Sequence, residues 1–113
     1  MQRLPKRLVD GSQLTVAAVT YYTTPVNTLT TISACTLTNT TAGALTATLY
    51  LVPSGGSATT SNCILSARTI AAGESFNVGS AIGQTLPAGG TLQGLASAAT
   101  SIAIVASGYE TNP

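Results

Sequence analysis

The chain has 113 residues, enough for one domain that buries roughly two-thirds of the surface its unfolded form exposes. Only 6% of them are charged, against roughly 25% in an average soluble domain; four Lys and Arg, three Asp and Glu and no His leave a net charge of +1. Without imidazole, Ser-His and Cys-His nucleophile pairs and histidine metal sites are excluded, and a hydrophobic fraction of 44% with almost no net charge excludes disorder.

The apolar content is built from small residues: 17 Ala stand beside 20 Thr and 11 Ser, with one Phe and no Trp. No run of about 18 apolar residues occurs, so no transmembrane helix is expected. Arg3, Lys6 and Arg7 are followed by Asp10, Gly11, Ser12 and Gln13 before an apolar stretch can form, so the chain is expected to be made and used without crossing a membrane. Between Gly11 and Ala67 there is no charged residue at all. A surface this neutral gives weak electrostatic protection against association, which suits a protein packed against neighbours.

In chain order, residues 1–12 read as an N-terminal arm and 13–113 as a β-sandwich domain. The arm carries three of the four cations together with Leu4, Leu8 and Val9, apolar groups that would gain by docking on a neighbour. From Gln13 the signal is β: Thr, Val, Ile and Tyr recur in short runs bounded by Gly, Pro, Asn and Ser, and no window keeps a helical period. Strands are predicted at Leu14 to Tyr22, Leu29 to Asn39, Leu45 to Val52, Cys63 to Ile70, Ser75 to Val78, Ala81 to Leu86, Thr91 to Ala96 and Ser101 to Tyr109. The run from Leu45 alternates most cleanly, with Leu45, Ala47, Leu49 and Leu51 on one face. The short turn Thr40-Thr41-Ala42-Gly43 suggests a hairpin between Leu29 to Asn39 and Leu45 to Val52. Eight short strands without intervening helices fit an antiparallel β-sandwich, with an eight-stranded jelly roll as the natural arrangement.

Candidate chemistry is sparse. The carboxylates Asp10, Glu74 and Glu110 are far apart in sequence, and an exposed Arg68–Glu74 ion pair across one turn would be structural. Cys35 and Cys63 lie inside predicted strands without metal-ligand spacing, so they read as two buried thiols or a disulfide between strands. Pro53-Ser54-Gly55-Gly56 and Pro87-Ala88-Gly89-Gly90 lack the lysine and helix of a phosphate loop and read as turns. Tyr21, Tyr22, Tyr50 and Tyr109 have no basic patch beside them and fit a half-buried edge or an interface better than nucleic acid. No catalytic residue, cofactor-binding residue or metal ligand is expected.

The run from Asn39 through Leu45-Thr46-Ala47-Thr48-Leu49-Tyr50-Leu51-Val52 to Gly56 resembles small virion proteins of tailed bacteriophages. So do Tyr21-Tyr22-Thr23-Thr24-Pro25, the turn Ile70-Ala71-Ala72-Gly73-Glu74-Ser75 and the ending Val105-Ala106-Ser107-Gly108-Tyr109-Glu110. The resemblance covers nearly everything after Gln13 and implies a non-enzymatic jelly-roll cement or decoration protein of the capsid. Its implied partners are the major capsid protein and further copies of itself, with no nucleic acid, membrane or cofactor, in a virion assembled in the host cytoplasm. Arg3, Leu4, Lys6, Arg7, Leu8 and Val9 are then the expected partner-binding residues. A tail or head-fibre module for glycan receptors or tail assembly is the alternative.

Overall fold

The structure, a computed structural model, describes residues 2–59, 61–98 and 101–112, with the side chains of 2–4 and 112 outside the description. Nine strands form: β1 (Gln2–Gln13), β2 (Val19–Thr23), β3 (Leu29–Asn39), β4 (Leu45–Val52), β5 (Cys63–Ile70), β6 (Ser75–Asn77), β7 (Thr85–Leu86), β8 (Thr91–Ala96) and β9 (Ile102–Asn112). A short 3-10 turn, Gly79–Ala81, precedes β7. Two antiparallel sheets result, one in the order β1-β9-β3-β6 with β7 also on β3, the other β2-β8-β4-β5. Most connections cross from one sheet to the other, and this strand order is that of a jelly roll with β7 as a short addition.

Period-two alternation fixes which side chains the sheets share. Ile32, Cys35 and Leu37 of β3 and Ile102, Ile104 and Ala106 of β9 face Ala47 and Leu49 of β4 and Leu92 and Ala96 of β8, all at most 2% exposed. Each fully buried Leu or Ile contributes about 1.5–3 kcal/mol, so this layer carries most of the stability. The small core residues let the sheets close tightly. On β4 the expected face holds at Ala47 and Leu49, but at the strand's end Val52 is buried and Leu51 half-buried.

Three expectations are corrected. The segment read as an arm is an edge strand: β1 pairs antiparallel with β9 from Gln2↔Asn112 to Gln13↔Ala103, and Leu8 and Val9 are buried in this chain's own core. Backbone pairing with β9 and burial of those two side chains together hold the segment to the body. The turn after Asn39 makes no hairpin, because β3 and β4 lie in different sheets; β4 pairs β5 and β8 instead. Leu14 to Tyr22 divides into a connection and the short β2, whose first strand residue is Val19.

Asn39 explains the crossing. Its side chain is fully buried, donates through Nδ2 to the carbonyls of Gly43 (2.8 Å) and Ile70 (3.0 Å), and accepts at Oδ1 from the Thr41 amide (3.0 Å) and hydroxyl (2.7 Å). One amide group thus ties the end of β3 to the turn and to the end of β5. Removing it takes a donor from the buried Ile70 carbonyl and unties the turn, so Asn39→Ala is expected to cost about 3 kcal/mol, read as a lower denaturant midpoint with an unchanged slope.

Candidate assembly surfaces

The sandwich has two open sides and two loop-bearing ends, and Arg68 with Phe76 on one side and Lys6, Tyr22 and Glu110 on the other sit where the sheets are joined. On the side where β5 and β6 meet, the Arg68 guanidinium lies 4.3 Å from the Phe76 ring centre, and Ser80 donates to the Ile64 carbonyl at 2.7 Å. The expected Arg68–Glu74 pair is absent among the described residues: Glu74 accepts instead from the Ala71 amide at 2.8 Å, closing its own turn. Local backbone capping outcompetes an exposed ion pair of small worth.

The opposite side carries a polar cluster that joins the two sheets. Tyr22 of β2 is buried and donates its hydroxyl to Glu110 Oε2 of β9 at 2.6 Å, and the same oxygen accepts from Lys6 Nζ of β1 at 3.1 Å. Because the single phenol proton is committed to Glu110, the Thr30 hydroxyl of β3 donates to the Tyr22 oxygen at 2.7 Å. Four strands from both sheets meet here. The Tyr22 bond, with Lys6 beside it, holds the Glu110 carboxyl below its ordinary value. Burial, reinforced by the neighbouring carboxylate, pushes the Tyr22 phenol up to about 12. Tyr22, Glu110, Lys6 and Thr30 together tie four strands into the closed sandwich.

The predicted partner-binding residues separate into three groups. Leu8 and Val9 are core; Lys6 belongs to the cluster with Glu110; Arg7 is exposed, with its Nε 3.9 Å from Asp10 Oδ1. The Arg3 and Leu4 side chains lie outside the described residues, although their backbones pair with Thr111 and Glu110. Beside Lys6 and Arg7 the outer face of the sheet dips into a shallow depression of about 350 Å³, bordered by Ser33, Ser107 and Tyr109.

Cys35 and Cys63 are free thiols, Cys35 buried on β3 and Cys63 half-buried on β5. Burial raises the Cys35 thiol to about 11, so it is a core side chain and a poor nucleophile. Cys63 donates to the Leu65 carbonyl at 3.3 Å and lines a groove of about 360 Å³ with Val52, Ile64, Leu86 and Pro87. Among the described residues no three His, Cys, Asp or Glu gather as metal ligands.

What the exterior does offer is neutral contact area. The connection from β1 to β2 exposes four consecutive apolar residues, Val16, Ala17, Ala18 and Val19, with the two valines 62% and 41% exposed. The same end carries the turns around Ala42-Gly43-Ala44 and Ala71-Ala72-Gly73, also exposed. Along the outer face of the first sheet, Thr36 donates to Asn77 Oδ1 (3.2 Å) and Thr38 bonds to Ser75 (3.0 Å), a hydroxyl surface cross-linked between strands.

No protein-family model and no curated protein matches the sequence. Among solved structures, the chain is similar to one from the structure of infectious bursal disease virus Gx strain, at 19% identity and a TM-score of 0.45, over 96% of this chain and 30% of that one. A chain from the structure of the Gt strain of that virus aligns at 14% identity and a TM-score of 0.36 with the same two coverages, so this chain spans less than a third of the length of either.

Proposed function

We propose that this chain is a non-enzymatic structural subunit of a virus particle, a cement or decoration protein that sits on the head of a tailed phage and bridges neighbouring copies of its major capsid protein. The observation that carries the reading is the surface of the jelly roll. Fold alone does not assign function, since jelly rolls also build lectins. Here, however, Glu110, Lys6, Tyr22 and Glu74 are engaged within the fold, which leaves an exterior of Thr, Ser, Ala and exposed valines with few charges beyond Arg7 and Asp10. Such an exterior cannot convert a substrate and has little charge to keep copies apart. The resemblance of the strand and turn sequences to tailed-phage virion proteins supports the same conclusion.

Mechanistically, a cement protein works by repetition. Each bridge is modest, but once one end is held the next contact is effectively intramolecular, so symmetric repetition raises shell stability well beyond a single affinity. Particles made without this chain are expected to lose their contents at a lower temperature than complete ones and to regain resistance when the purified protein is added back. Equal heat resistance with and without it would overturn the cement role.

A further inference from the structure

We propose that the outer edge of β1 is a docking strip for an acidic, extended segment of a partner protein, which adds to the sheet as a further antiparallel strand. The inference deepens the assembly reading by naming the kind of partner, and it rests on that reading only for where the partner comes from. β1 ends its sheet, so the side of its backbone turned away from β9 has no strand partner among the described residues. An open edge of this kind is a template for another strand. Its register runs without interruption from Gln2 to Arg7, and the bulges that would disturb a partner begin only beyond Arg7. Six residues give a strip about 20 Å long. Pro5 removes one donor from it, so charge must supply part of the hold.

Charge selects the occupant. The uninterrupted stretch contains Arg3, Lys6 and Arg7; Lys6 is already bound to Glu110 of β9 at 3.1 Å, so the exposed Arg7 is the cation that meets an added strand. Arg7 borders the depression of about 350 Å³ together with the hydroxyl-bearing Ser33 and Ser107, which gives a side chain reaching over the edge a hydrogen-bonding floor beside an exposed cation. Asp10 is 90% exposed and 3.9 Å from Arg7 Nε, a contact too loose to neutralise it. A second copy of β1 is the wrong occupant, because antiparallel pairing of Gln2 to Arg7 with itself sets Arg3 opposite Lys6, and like charges opposite one another destabilise a strand pair. An aspartate or glutamate of a foreign strand placed opposite Arg7 meets it favourably.

The test uses the full chain, isotopically labelled, and a synthetic peptide with alternating Glu and Val or Thr, capped at both ends, followed by backbone amide shifts and hydrogen exchange. The expected result is that the amides of residues 3–8 other than Pro5 move and exchange more slowly, and that added salt weakens binding. Arg7→Glu should weaken it on the order of tenfold and Arg7→Gln by less, since an exposed pair is worth up to about 1 kcal/mol and reversal turns attraction into repulsion. Both variants should melt with the parent, because Arg7 packs on nothing in the core. A lysine-substituted peptide should leave the edge unmoved. Absence of edge shifts at millimolar acidic peptide, shifts confined to another surface, equal binding of the lysine peptide, or self-pairing through β1 would each overturn the proposal. Failure of the peptide while the chain is still found in particles removes the docking strip and spares the assembly reading; peptide binding by a chain absent from particles does the reverse.

Discussion

Gly108→Ala is expected to be the most damaging single substitution in the chain. Gly108 lies on the inward side of β9 opposite Ile32, where β3 is bulged between Ile32 and Ala34. A methyl group there would collide with the Thr31 carbonyl oxygen and press on Ile32 Cα at 3.1 Å, both backbone atoms of the neighbouring strand. Side chains can rotate away from such a contact, but a paired strand cannot move without breaking the β3–β9 ladder at the centre of its sheet. The cost is about 3–5 kcal/mol, a large share of the roughly 5–15 kcal/mol a domain has, and it should lower the melting temperature by roughly 15 °C or more. Gly43→Ala is the control: nothing lies within 4 Å of its added methyl group, and its melting temperature should stay with the parent's. Equal tolerance at both positions would refute the close approach.

Tyr22→Phe is expected to cost about 1–3 kcal/mol, because it deprives the buried Thr30 hydroxyl of its acceptor and Glu110 of its strongest donor while leaving the ring's packing in place. The pH dependence separates this loss from simple packing. Tyr22 binds its proton more tightly folded than unfolded, so its contribution is complete below the ordinary phenol value near 10 and falls away as pH rises toward 12. Glu110 is shifted the other way: its contribution is present above the ordinary carboxylate range and is lost as pH falls through its lowered folded value. Chemical denaturation across pH should therefore show a decline in parent stability between about 10 and 12 that is smaller in Tyr22→Phe. An identical alkaline decline in both proteins would place the titrating group elsewhere.

Much of the fold is legible in the sequence. The bounds of β3, β4, β5 and β8 match the runs Leu29 to Asn39, Leu45 to Val52, Cys63 to Ile70 and Thr91 to Ala96, because each is a β-branched or alternating stretch with clear turn residues on both sides. The sandwich follows from their number and spacing. The first strand was hidden by its own edge position: Arg3, Pro5, Lys6 and Arg7 are what an outermost strand tolerates, and the same residues in isolation describe an unpaired terminus. The signal that could have revealed it is the apolar pair Leu8-Val9 ahead of Gly11, too much apolar surface to leave in water.

The Tyr22–Glu110–Lys6 cluster could not be read in advance for a different reason. Lys6 and Glu110 are 104 residues apart, and they meet only because β9 returns to pair with β1 across the whole chain. Local pattern carries no information about such closure. The misread hairpin after Asn39 has a local cause: its turn residues suit a hairpin, and only the buried Asn39 amide, bonded to β5's last carbonyl, directs the chain to the other sheet.

On the function proposed above, this molecule acts by being built into a larger shell. Quantifying the chain in purified virus particles, against the major shell protein and after separating heads from tails, tests it most directly. Many copies per particle, in fixed ratio to the shell protein and confined to heads, is the predicted result. A chain missing from particles, or confined to tails in a few copies, would contradict it.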